Sequence, residues 1–192
     1  MKIAKPVINY DSETKKDNDL PLFLNQPEPR DLAVCQGCKY HTPLTCSQTC
    51  VNAPRALSIE PDRYPVESNV VGMVYELMAT RLIQTCWSCE GHMDENNKLW
   101  KIPQVCFYSA APIYVKLLQM HLGRLQQKRK LKYEWHIVLT DFSQTEELTY
   151  SIQPNLNQIT NVSLGALQAD LRTLSVDLHT KLKDYAVKLL SK

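Results

Sequence analysis

Two segments of the chain share one spacing, C-x-x-C-x-x-H: Cys35-Gln36-Gly37-Cys38-Lys39-Tyr40-His41 and Cys86-Trp87-Ser88-Cys89-Glu90-Gly91-His92. Thiolates two residues apart can grip one metal ion, because the turn between them points both sulfurs inward. Behind the first segment come Cys46 and Cys50, so four thiols fall within sixteen residues. Four such donors suit tetrahedral Zn²⁺, and Gly37 eases the first turn. A closed site of this kind contributes an apparent ~10–16 kcal/mol of binding free energy, enough to fold a loop without its own core. The predicted structural zinc site is therefore Cys35, Cys38, Cys46 and Cys50, with His41 as a substitute for one sulfur. The alternative is four reduced, partly buried thiols.

Residues 31–65 need such help. They carry Pro43, Pro54, Pro61 and Pro65 and show no sustained helix or strand period, which predicts a loop-rich, zinc-knuckle-like region. Residues 1–30 are rich in Lys, Asp, Asn and Pro and are expected to form a mobile or extended arm, with Pro21 to Leu24 able to dock on the body. The remainder, 66–192, reads as an α+β body.

Within that body the apolar stripe Val66, Val70, Val74, Leu77, Met78, Leu82 predicts a helix running to about Thr85 and directly into Cys86. Glu67, Glu76 and Arg81 interrupt the stripe, and Glu76 is a candidate buried acid paired with Arg81 or Arg55. Leu99 to Tyr108 reads as a strand broken near Pro103, and Pro112 to Lys130 as a helix. Strands from Tyr133 to Leu139 and from Leu148 to Gln153 form an expected antiparallel hairpin. Ser163 to Leu190 reads as one long helix with leucines every three or four residues, packed on the body or, on a sharper reading, pairing two chains as a coiled coil. The expected fold is α+β, with three main helices on one face of a small, mostly antiparallel sheet.

Cys86, Cys89 and His92, with Cys106 on the next strand, make a second candidate metal or thiol site. It stands alone or joins the first cluster, and the competing reading is a helix end with ordinary small core residues. A thioredoxin-like role is disfavoured: a helix placed before Cys86 would set its negative end against the thiol and raise its pKa. The spacings also miss the usual iron–sulfur runs, which favours zinc over an Fe–S cluster.

Composition narrows the function classes. The chain has 192 residues, a net charge of +2, seven cysteines and five glycines. No G-x-G-x-x-G or G-x-x-x-x-G-K-[ST] loop is present, so dinucleotide and P-loop chemistry are poor readings. Met1 to Leu20 has no apolar core of a signal peptide, and no apolar run reaches about eighteen residues. With an odd cysteine count, the expectation is a reducing cytoplasm rather than a disulfide scaffold.

Three functions follow. The favoured one is a zinc-binding accessory or interaction protein rather than an enzyme, with another protein or a second copy as partner. A zinc-dependent hydrolase would use the Cys86–His92 segment with Glu90, Glu134 and His136, the last two sharing one strand face. A zinc-stabilised nucleic-acid binder would use Arg124, Lys128, Arg129, Lys130 and Lys132, with Tyr133 and Trp135 as stacking residues.

Overall fold

The computed structural model describes residues 12–26, 63, 65–140, 148–157 and 161–191. Cys35, Cys38, His41, Cys46 and Cys50 lie outside the described residues.

The first described element is α1 (Ser12–Leu24). A proline sits inside it, and its Leu20 and Phe23 are fully buried. Each such burial is worth about 1.5–3 kcal/mol. Docking of the Pro21 to Leu24 segment was legible, and Phe23 carries it while Leu22 stays 50% exposed; the helix was not, because Lys, Asp and Asn mask the short apolar stretch. Phe23 packs on Tyr114, ring centroids 5.5 Å apart, and the Tyr114 hydroxyl donates to the Asp19 carbonyl at 2.9 Å. Burial, with the nearby Asp19 carboxylate, pushes the Tyr114 hydroxyl up to about 12.

The helix expected from Val66 to Thr85 is confined to α2 (Val71–Ala79). Thr80 ends it: its hydroxyl donates to the Leu77 carbonyl at 2.7 Å and accepts from the Ile83 N–H at 3.1 Å. Arg81 then takes φ +60, and the chain leaves as β1 (Ile83–Cys89). Ile83, Thr85 and Trp87 are residue types that favour the pleated sheet, and their pull outweighs the helical period. Cys86 and Cys89 therefore sit on a strand. The helix-end geometry expected for them is corrected.

From there run β2 (His92–Met93), β3 (Leu99–Lys101) and β4 (Gln104–Ser109), then α3 (Pro112–Gln127), β5 (Trp135–Thr140) and β6 (Thr149–Pro154). One sheet has the antiparallel order β1-β4-β6-β5, and β2-β3 is a separate hairpin. The hairpin expected of residues 133–153 is β5-β6, with Ile137 opposite Ile152. The predicted long helix is two, α4 (Leu164–Ser175) and α5 (Leu178–Leu190), parted at Asp177, whose φ is +52. This makes five described helices rather than three, within the α+β class that was expected.

Val105, Phe107, Trp135 and Ile152 turn one sheet face toward the helices. α2 packs on β1, α3 packs on β4 and β5, and α1, α4 and α5 pack on these helices. Leu167, Leu171, Leu174, Leu178 and Leu182 are all 1% exposed or less. The stripe that a coiled-coil dimer would use is therefore consumed in the chain's own core. The predicted buried acid is real, since Glu76 is 4% exposed, and its carboxylate pairs with His179, at 2.6 Å from Nδ1.

His121 of α3 is buried, and its Nε2–H donates to the Leu174 carbonyl at 3.0 Å. Burial pulls its pKa below 6.5, opposed by the Leu174 carbonyl and helped by Lys181. The unfolded chain thus takes up the proton first as pH falls, and stability drops below about pH 6.5 by at most ~1.4 kcal/mol per pH unit. Urea unfolding of the protein and of His121→Gln between pH 5 and 8 checks this. The wild-type advantage should shrink below pH 6.5 and be flat above it.

Candidate metal centre

The second cysteine segment folds into a sharp corner. β1 ends at Cys89, and Glu90 and Gly91 turn the chain into β2 at His92. Gly91 has φ +87, and a Cβ there would lie 2.8 Å from the Pro103 ring and 2.6 Å from Leu164 Cδ1. Only glycine fits without displacing its neighbours. The Gly91 N–H points back at the Cys89 sulfur, 3.4 Å away.

Into this corner comes Glu67, from the segment just before α2. Its Oε1 lies 2.9 Å from His92 Nε2, and its Oε2 accepts from the Glu90 N–H at 2.7 Å. One ligand atom each from Glu67, Cys89 and His92 fall within 4.8 Å of one another. Cys89 is 3% exposed, while the Glu67 and His92 side chains are about one-third exposed, at 34% and 37%. The site is thus rooted in the protein at the sulfur and open at the carboxylate and imidazole. Burial raises the Cys89 thiol, as does the Glu67 carboxylate, while the Gly91 N–H and Lys101 pull it down.

Around the corner lies a supporting layer. The Glu90 carboxylate accepts from the Asn69 N–H at 2.8 Å and from Asn69 Nδ2 at 3.0 Å. Arg172 donates to Asn69 Oδ1 at 2.8 Å, and Gln168 Nε2 to the Glu90 carbonyl at 3.2 Å. Helix α4 thereby ties together the two segments that bring the three donors. Such outer partners fix ligand orientation.

The structure divides the predicted second site. Cys89 and His92 converge, but Cys86 and Cys106 do not join them, and the third donor is Glu67. Glu67 was visible only as an acid interrupting an apolar stripe. No spacing links it to Cys89, because the contact is made by tertiary folding across 22 positions. Glu90, a candidate catalytic base, instead holds the loop through Asn69.

Glu134 and His136 are elsewhere. β5 is the edge strand opposite β1, three strand spacings or about 14 Å across the sheet. Glu134 is exposed and accepts from Asn155 Nδ2 at 3.2 Å. The structure does not bring this pair to the Cys86–His92 segment.

The basic set surrounds the end of α3. Lys128, Arg129, Lys130 and Lys132 are exposed, and Arg124 lies 4.5 Å from the Tyr185 ring centroid. Tyr133 and Trp135 are 7% and 2% exposed, and neither presents a free face for a base. The stacking half of the nucleic-acid reading is corrected: these aromatics are core.

No family model, curated protein or solved structure matches this chain. The corner at Cys89 is therefore read from its own chemistry. No helix among the described residues is long and apolar enough to cross a membrane.

Proposed function

We propose that the protein binds zinc at Glu67, Cys89 and His92, and that the metal locks the β1–β2 corner of an accessory or interaction protein. The observation that carries this reading is the convergence of three chemically suitable donors within 4.8 Å. A thiolate, an imidazole and a carboxylate are all ligands that Zn²⁺ accepts, and one sulfur with one nitrogen favours it over the hard cations Mg²⁺ and Ca²⁺. A structural role fits better than catalysis, because Glu90 is committed to Asn69 and the Glu134/His136 pair lies across the sheet. Beside the corner stand Trp87, Met93 and Trp100, 44%, 37% and 67% exposed, apolar surface that suits a protein partner.

The test is to replace zinc with Co²⁺ in the full chain. A site with these ligands should give visible bands of four-coordinate Co²⁺ with a thiolate charge-transfer band, and zinc should abolish both. A titration in which no cobalt spectrum depends on Cys89 would reject the proposal.

A further inference from the structure

β1 has one residue too many for its partner. Thr85 pairs with Phe107 and Trp87 with Cys106, which makes Cys86 the extra residue of a β-bulge. In a bulge two residues of one strand oppose one residue of the other, so Cys86 and Trp87 share Cys106 as their neighbour. The ladder partner of Cys106 is Trp87, and the bulge sets Cys86 beside that pair; regular partners have Cα atoms about 4.5–5.5 Å apart, and a disulfide bridges about 4.4–6.8 Å.

The two thiols differ in access. Cys86 is exposed, Cys106 is 1% exposed, and both are free. Burial raises the Cys86 thiol first, and the neighbouring Cys106 raises it further. A hydroxyl serves each sulfur, Tyr108 for Cys86 and Ser151 for Cys106. This is an accessible thiol with a sheltered one beside it, the pairing that thiol–disulfide exchange uses.

We propose that Cys86 and Cys106 form a reversible cross-strand disulfide by exchange with low-molecular-weight disulfides of the glutathione class. The Cys86 thiolate attacks one sulfur of the oxidised reagent, its S–S bond breaks, and one thiolate leaves. Cys106, as thiolate, then attacks the Cys86 sulfur of the mixed disulfide and expels the second. Two protein thiols lose two electrons in total, the reagent gains them, and the two protons end on the released thiols. The link closes a loop that contains β2, β3 and both Cys89 and His92, tying the edge strand β1 to the inner strand β4. It does not depend on metal at the neighbouring corner.

The experiment treats the full chain with oxidised glutathione, alkylates remaining thiols after unfolding, and maps tryptic peptides by mass spectrometry. The expected product is peptide 82–98, alkylated at Cys89, joined to 102–116 and two hydrogens lighter than the sum of the two, with fragments placing the bond at Cys86 and not Cys89. Dithiothreitol should remove it. Cys106→Ser should stop at one glutathione on Cys86, and Cys86→Ser should leave Cys106 alkylated. Should either variant misfold, the wild-type fragments decide alone. A bond from Cys106 to Cys89, a bond from Cys86 to any of Cys35, Cys38, Cys46 or Cys50, or full alkylation of both residues would overturn the proposal.

Discussion

His92→Ala is expected to lower the zinc content of the purified protein by one equivalent while leaving its helix and strand content intact. His92 is only half-buried, so its removal opens no core cavity. Loss of an outer partner alone costs about 10–100-fold in metal affinity, and loss of a direct ligand should cost at least ~100-fold. Cys89→Ser should do the same, because a hydroxyl does not ionise to replace the thiolate. Glu67→Gln should weaken binding less, since an amide oxygen remains in place. Elemental analysis of the three variants against wild type reads the result, and the difference of one equivalent holds whether or not Cys35 to Cys50 carry a zinc of their own. Wild-type zinc content in both His92→Ala and Cys89→Ser would remove the corner as a metal site. Retained metal there, with a loss on substituting Cys35 or Cys38, would move the zinc to the N-terminal cluster.

Asp170→Ala should be strongly destabilising at the buried sheet–helix junction. Asp170 is 4% exposed and accepts three hydrogen bonds: from the Lys132 and Tyr133 N–H groups, both at 2.8 Å, and from Trp135 Nε1 at 3.2 Å. Hydrogen bonds to a charged group are worth about 1.5–3 kcal/mol each, and an orphaned buried donor adds its own desolvation cost. These terms overlap, which puts the expected loss at about 3–5 kcal/mol. For a chain of this size that is a fall in Tm of roughly 10 °C. Asp170→Asn keeps one acceptor oxygen and should fall between the two. Urea unfolding checks the order; an Asp170→Ala midpoint equal to wild type would show that the three donors find other partners. The carboxylate sets where the chain leaving α3 turns into β5, so its loss reaches both elements.

Much of the fold was legible because hydrophobic period is local. Ile113, Leu117, His121 and Leu125 marked α3 and Pro112 its first turn; the apolar and aromatic run within Tyr133 to Leu139 marked β5. What misled were ends and breaks. Thr80 and Arg81 stop α2 by a hydroxyl cap and a left-handed turn, neither of which leaves a mark in an apolar stripe. Asp177 bends the leucine stripe so that both halves face inward, although leucine spacing runs on unbroken through it. Asp170 was likewise hidden, and for Glu76 burial was legible but its partner His179 was not, since a buried acid is recognised by its partners and not by its neighbours in sequence.

By itself, the sequence determined the α+β class, the β5-β6 hairpin, and that Cys89 and His92 belong to one constellation. These follow from residue type and from spacings of two to four, which covalent geometry converts directly into shared faces. The tertiary structure alone decided that Cys86 leaves that constellation for Cys106, and that Glu67 enters it. A bulge at Cys86 reassigns one thiol across a strand pair, and the segment before α2 carries a carboxylate to a corner 22 residues away. Both depend on how separate elements meet, because a ligand set is defined by distance in space.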